Sequence, residues 1–266
     1  MHWLLQSNLG TEEKNKQFSD ALDYVKESRG ATWSFIKLIP FVGDIIPDDD
    51  YTGKKVFALG STSMILAAKK RNWNPGVLFN ENFRFEAWVN GFGAENLLNG
   101  DGKVTRFSDA VIEQDKAFIR PCEDLKAFNG GLFDSENLKS WQKSILEGET
   151  STRALQLTSD TMVVTASPKL VYREWRFFVV NKKVISGSLY RTAYQTCSDA
   201  DVDDDVYEFA QKMVDKYQPA DCFVIDIGET KSGLSIVEIN CFNGSGIYAC
   251  DMKKVFCAVE DFYDKK

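Results

Sequence analysis

The sequence predicts an α+β protein, with a small α/β lobe over residues 1–100 followed by a larger unit over residues 101–266 built on antiparallel strands. Three observations carry this. Strand and helix signals alternate from His2 to Arg71, the pattern of parallel strands joined by helices. After residue 100, apolar residues alternate with period two in separate runs, as half-buried antiparallel strands do. Between the two textures lies a stretch from Asn90 to Gly102 rich in Gly and Asn, which breaks both periodicities and marks the lobe boundary.

The elements follow in order. His2 to Gln6 is a short apolar run, and Phe18, Ala21, Leu22 and Val25 then recur at helical spacing up to Gly30. Trp33 to Ile39 reads as a strand closed by Pro40, and Lys55 to Leu59 as another, followed by the Gly60-Ser61 step and a helix through Met64, Leu66 and Ala67 to Arg71. Asn72 to Pro75 breaks the pattern, and aromatic residues crowd Phe79 to Phe92. In the second unit, Ala117 to Arg120, Met162 to Thr165, Val171 to Val180 and Val184 to Tyr190 read as strands, the last two joined in a hairpin at Asn181-Lys182. Helices are expected at Asn137 to Leu146 and Val206 to Tyr217, then strands at Cys222 to Ile227 and Leu234 to Asn240, and a terminal helix from about Asp251.

Composition narrows the chemistry. At 44% hydrophobic residues over 266 positions the chain can bury a substantial core. His2 is the single histidine, which excludes a Ser-His-Asp triad, a multi-histidine zinc site and a central histidine acid/base. A formal charge of -7 argues against extensive nucleic-acid binding, which draws on Lys and Arg meeting phosphates. The six cysteines contain no C-x-x-C pair and are expected to be free thiols in a reducing compartment. The opening residues lack a basic region and a long apolar core, so no signal peptide is expected. No apolar run approaches the roughly 20 residues that a bilayer requires. The expectation is a cytoplasmic protein without a membrane partner.

Two segments could carry chemistry. In Asp226 to Gly246, two apolar strands joined by a Gly-containing turn each end in oxygen-bearing side chains. Glu238 and Asn240 are two apart and leave one face, and Asp226 can sit beside them from the neighbouring strand. Two carboxylates and an amide suit Mg²⁺ when substrate phosphates fill the other positions; the bland reading is a polar strand end. In Phe118 to Gly131, a strand delivers Arg120, Pro121 stops it, Lys126 follows, and Gly130-Gly131 opens a loop. Cations beside the amides of a glycine loop suit a polyphosphate, although each part alone is an ordinary surface feature.

Taken together and in this order, these segments resemble the ATP-grasp superfamily, and in particular a clade common in phage genomes. The resemblance is carried by Phe118-Ile119-Arg120-Pro121 with Lys126 and Asn129-Gly130-Gly131, then Val163 to Ser167, Glu174-Trp175-Arg176-Phe177-Phe178, Asp226, and Glu238-Ile239-Asn240. It implies an ATP-grasp fold in which two α/β subdomains clasp ATP after the N-terminal lobe. It also implies roles. Arg120 stands where many members have a first lysine, and Lys126 would reach the phosphates. Val163 to Ser167, with Val163, Val164 and Thr165 among them, would be the hinge whose backbone reads adenine, and Glu174 would hold the ribose or support that hinge. Asp226, Glu238 and Asn240 would carry Mg²⁺, with Arg176 and Arg191 facing the γ-phosphate and the carboxylate being activated. The implied activity is ATP- and Mg²⁺-dependent ligation of a small carboxylate to an amine through an acyl phosphate, in the host cytoplasm if the protein is phage-encoded. Many such ligases have an Arg two residues before the metal-binding Asp; here that position is Val224, and Arg173, Arg176 or Arg191 could compensate.

Other readings stand beside this one. Lys126-Ala127-Phe128-Asn129-Gly130 approaches the signature of covalent nucleotidyltransferases, in which the lysine itself takes AMP, but one extra residue separates Lys from Asn-Gly. A non-catalytic ATP-binding module is a third reading. The acidic run Asp199 to Asp205 fails as a calcium loop, because Asp204 and Ala210 stand where Gly and Glu belong, and reads instead as a helix start. Asp48 to Asp50 reads as an exposed loop and Lys69 to Arg71 as a helix end.

Overall fold

A computed structural model describes residues 1–8, 11–39, 43–123, 127–148, 157–193 and 195–266. The N-terminal part runs β1 (His2–Gln6), α1 (Glu12–Arg29), β2 (Thr32–Leu38), β3 (Ile45–Ile46), β4 (Lys55–Leu59), α2 (Thr62–Lys70) and β5 (Asn74–Gly76). These strands form one sheet in the order β3-β2-β1-β4-β5, with β1 parallel to β2 and β4, and β4 parallel to β5. The expected break at Asn72 to Pro75 is thus corrected. Asn72 turns the chain at φ 53 after α2, and the next residues form an edge strand, where a proline costs no internal ladder bond.

The aromatic segment then folds as α3 (Phe85–Phe92), followed by β6 (Lys103–Arg106), β7 (Ala117–Pro121), β8 (Gly131–Phe133), α4 (Ser135–Leu146) and β9 (Met162–Ala166). The four strands make an antiparallel sheet in the order β6-β9-β7-β8. One face packs on α4 and its neighbours through Phe107, Leu138 and Val163. The remaining elements are β10 (Arg173–Val180), β11 (Lys183–Thr192), β12 (Gln195–Asp199), α5 (Asp204–Lys216), β13 (Cys222–Thr230), β14 (Gly233–Cys241) and α6 (Met252–Tyr263). The strands form a second antiparallel sheet, β12-β11-β10-β13-β14. The β10–β11 hairpin turns at Asn181 and Lys182, both left-handed (φ 44 and 68), as a two-residue primed turn requires.

The core explains where a site can form. On β10, Trp175, Phe177 and Val179 face one side, toward α3 and α5, while Phe178 and Val180 face the other, toward α6 and the N-terminal sheet. Along that second face the residues change character from one end of the sheet to the other. Phe178 and Val180 give way to Arg176 and Glu174 on β10, and Cys222 and Val224 give way to Asp226 on β13. On β14, Asn240 and Glu238 take the same side beside them. One half of the face is therefore core, and the other half carries charge.

Candidate functional site

A cleft of about 650 Å³ opens between the two antiparallel sheets. Its walls include the candidate residues Arg120, Gly130, Gly131, Glu174, Arg191 and Glu238, with Tyr190 and Lys169. Phe118, Phe128, Leu170, Val171 and Val237 supply apolar surface beside them. The lining is polar and apolar in near-equal parts, with charges converging on one slot, a form that suits a small polar ligand.

Residues from neighbouring strands meet beside the cleft by register; Glu238 lines it, whereas Arg176, Asp226 and Asn240 are buried and are not part of its walls. Arg176 on β10 lies opposite Asp226 on β13, which lies opposite Glu238 on β14, so the three share one face. Arg176 grips Asp226 with two bonds, Nε to Oδ1 at 2.9 Å and Nη2 to Oδ2 at 2.7 Å, and Asn240 Nδ2 donates to the same Oδ2 at 3.2 Å. Arg120 Nη2 donates to Glu238 Oε1 at 3.0 Å, and its guanidinium lies over the Trp88 ring at 4.8 Å. Arg120 therefore ties β7 of one sheet to β14 of the other across the cleft. Glu174 accepts from the Tyr190 hydroxyl at 2.6 Å and pairs with Arg191 at 3.3 Å.

Burial sets the electrostatics. Asp226 is 1% exposed, and burial pushes its carboxyl above the usual carboxylate range against the opposing pull of Arg176. Burial works to lower the pKa of Arg176, but the charge and hydrogen bonds of Asp226 outweigh it, so the guanidinium holds its proton more tightly than usual. Burial also pushes Tyr190 far up, so its hydroxyl stays protonated and serves as a donor to Glu174.

Among the described residues, no three His, Cys, Asp or Glu side chains gather in a metal-binding cluster. Two carboxylates and an amide on adjoining strands still fit Mg²⁺, which takes one or two protein carboxylates and completes its shell with phosphates and water. Asp226 Oδ1 accepts one hydrogen bond, from Arg176 Nε, and keeps a second lone pair with which it can join such a shell. Gly130 packs closely on β7. A Cβ on Gly130 would lie 2.9 Å from Phe118 Cζ and 3.0 Å from Arg120 Cβ, so only glycine lets this loop lie against β7.

Not every expected residue reaches the cleft. Val163, Val164 and Thr165 lie in β9, an interior strand whose edges are taken up by β6 and β7, so their backbone groups are not free to read a base. The hinge reading at these three residues is corrected: the chain that borders the cleft comes after β9, at Lys169, Leu170 and Val171. Asp101 accepts from Ser167 and Lys169 and pins this segment. Arg173 turns away to Glu229 and Asp203, and Val224 is fully buried in the core. Lys126 lies outside the described residues. Sequence reasoning does not point to Tyr190, Trp88 or Lys169 as members of the site. Tyr190 is the extra residue of a β-bulge in β11, between Leu189 opposite Trp175 and Arg191 opposite Glu174, and no sequence pattern announces a bulge.

The comparisons with known proteins agree with this architecture. A family model described as an ATP-grasp domain, the second family of its clade, matches residues 103–258. A search of curated proteins found no match. Among solved structures, the fold is similar to that of D-cycloserine synthetase DcsG at a TM-score of 0.66 and 10% identity, over 100% of this chain and 99% of that one. It is also similar to a RimK domain ATP-grasp protein from Sphaerobacter thermophilus DSM 20745, with a TM-score of 0.61 and 10% identity over 98% and 99% of the two chains. The ATP complex of D-alanine–D-alanine ligase from Bacillus anthracis gives a TM-score of 0.62 at 11% identity over 99% and 96%.

Proposed function

This chain belongs to the ATP-grasp domain family whose model it matches, and on that premise we propose that it is an ATP- and Mg²⁺-dependent ligase joining a small carboxylate to an amine. The observation that carries the reading is the charged half-face of the second sheet, opening on a cleft whose opposite wall is a glycine loop. D-cycloserine synthetase and D-alanine–D-alanine ligase, named among the similar folds, are synthetic enzymes in keeping with it.

In this mechanism ATP lies in the cleft with its base beside Leu170 and Val171, and its phosphates run toward Gly130-Gly131 and Arg120. Lys126 is assigned to the phosphates as well. A carboxylate oxygen of the acid attacks the γ-phosphorus, the bond to the ADP oxygen breaks, and an acyl phosphate forms. The amine then attacks the acyl carbon, phosphate leaves, the nitrogen gives up a proton, and an amide results. Such transfer depends chiefly on positioning and on neutralising charge, which arginines supply without a histidine. Glu238, Asn240 and Asp226 would hold Mg²⁺, which would supply further neutralisation of the phosphate oxygens.

Arg176 takes the part of the arginine absent at Val224. It stands two register positions from Val224 on the adjacent strand, on the same face, and is buried at the site, whereas Arg173 is engaged elsewhere. Arg191, at the rim beside Glu174, serves the incoming carboxylate. The division into a lobe of residues 1–100 and an ATP-grasp unit of residues 101–266 belongs to this proposal, as do a phage origin and action in the host cytoplasm. For the last of these, the structure contributes only that no helix among the described residues is long and apolar enough to cross a membrane.

The test is a screen of amino acids and small acids, singly and with amines, for ATP-dependent ADP release, with products read by mass spectrometry. Glu238→Ala should abolish turnover while the protein still unfolds cooperatively, at a melting temperature lowered by loss of the Arg120 bond. Turnover at the wild-type rate in Glu238→Ala would remove the metal assignment. Label from α-labelled ATP retained on the denatured protein would favour the nucleotidyltransferase reading through Lys126.

A further inference from the structure

We propose that Tyr248 is a positioning residue for Arg176, held in an unfavourable backbone conformation so that its ring, with that of Tyr190, fixes the guanidinium beside the reacting groups. Tyr248 has φ 46, in the left-handed region where an aromatic residue is an outlier. Asn72, Asn181 and Lys182 share a positive φ but lie at a helix end and a hairpin turn, where it is ordinary. Tyr248 occupies the first central position of a turn closed by Cys250 N to Ile247 O at 3.0 Å, and a positive φ there is normally supplied by glycine.

The surrounding loop leaves the backbone no alternative. Before Tyr248, the Gly246 carbonyl accepts from Arg176 Nη1 at 3.3 Å. After it, Ala249 N donates to Ser188 Oγ at 3.2 Å and Asp251 N to Ser186 Oγ at 2.8 Å, both on β11. Strain persists only where neighbours over-determine it, and it gathers at functional sites.

The ring explains the device. It stacks on Tyr190 at 4.8 Å and 19°, and the Arg176 Cζ lies 5.3 Å from each centroid. Tyr190 reaches that place through the β-bulge in β11. Two separate departures from regular backbone, on different elements, thus bring two rings to one guanidinium. Together they add two ring contacts to the bonds that Asp226 and the Gly246 carbonyl make with the guanidinium, and orientation of this kind is worth more at a reacting centre than in a core.

The experiment uses the full chain with Tyr248→Phe, Tyr248→Ala and Tyr248→Gly. Its first two readouts, melting temperature and exchange of the Arg176 Nε–H by ¹⁵N NMR, need no substrate. Both small variants lose the ring and only Gly relieves the backbone, so Gly should melt above Ala by about 2–8 °C. Exchange should stay slow in the wild type and in Tyr248→Phe, and quicken by on the order of tenfold in both Ala and Gly. In ADP release, which alone rests on the ligase reading, Phe should restore kcat while Ala and Gly lower it with the KM for ATP unchanged. Exchange at the wild-type rate in Ala and Gly, or kcat retained by both, would overturn the proposal. If exchange responds while no variant and no wild type releases ADP, the positioning stands and the ligase reading fails.

Discussion

Replacing Arg176 with methionine separates the structural work of the Arg176–Asp226 pair from its chemical work. The Arg176 side chain is 10% exposed and that of Asp226 1%, so removing the cation strands a buried carboxylate with Asn240 Nδ2 at 3.2 Å beside it. Breaking such a pair from one side costs about 3–5 kcal/mol, because the remaining charge keeps its desolvation penalty and loses its partner. At about 2–4 °C per kcal/mol for a domain of this size, the melting temperature should fall by about 6–20 °C. Arg176→Met with Asp226→Asn removes both charges and should recover most of that loss, yet both variants should lose turnover by about 10²-fold or more. The pH dependence has a definite sign. In the single variant Asp226 has a folded-state pKa raised by burial, so the native state binds the proton more readily than the unfolded chain, and the penalty shrinks as pH falls through that value. Urea denaturation of the wild type and both variants across pH provides the readings. A single-variant loss under about 1 kcal/mol, or no recovery in the double variant, would refute the reasoning that the pair is charged and buried.

Further outcomes follow from individual contacts. Gly130→Ala, whose Cβ would press on Phe118 and Arg120, should raise the KM for ATP and cost about 1–3 kcal/mol, measured by initial rates and denaturant melts. Burial works to raise the Asp101 carboxyl, but hydrogen bonds from Lys169 and Ser167 prevail and lower it. Its stabilisation is therefore present above the unfolded-state pKa and lost as pH falls through the folded one, and Asp101→Asn should remove that acid limb from melting curves. Burial pushes Cys122 and Cys250 up to about 12, so a thiol reagent at mildly alkaline pH should label Cys197 and Cys257 first and reach the other two only on unfolding, as peptide mass mapping would show.

Much of this fold is legible in the sequence because its elements are amphipathic at clear periods. The run Lys55 to Leu59 is a strand with those bounds, and the Asn181-Lys182 turn falls where the alternation on either side requires. The aromatic segment is legible only as apolar: Phe85, Trp88 and Phe92 lie at helical spacing over too short a span to separate a helix from a loop, and packing on the second sheet decides it. Short edge strands such as Asn74–Gly76 and Gly131–Phe133 escape for the same reason, since their pairing comes from the neighbouring strand rather than from their own pattern. At the site, the spacing that puts Glu238 and Asn240 on one face follows from strand geometry alone, whereas the pairing of Arg176 with Asp226 depends on the register of β10 with β13 and is seen only in the fold. The hinge reading at Val163 to Thr165 errs because nothing in a run of apolar residues distinguishes an interior strand from the segment after it. The bulge at Tyr190 and the turn at Tyr248 are tertiary choices, visible only once the strands are paired.

A crystal structure with a non-hydrolysable ATP analogue and Mn²⁺, phased on the metal's anomalous signal, tests the central claim most directly. The predicted result is a metal peak within coordination distance of Glu238 and Asn240, bridging to the terminal phosphates, with the base between the two sheets beside Leu170. A peak remote from these residues, or a nucleotide bound outside the cleft, would contradict the account.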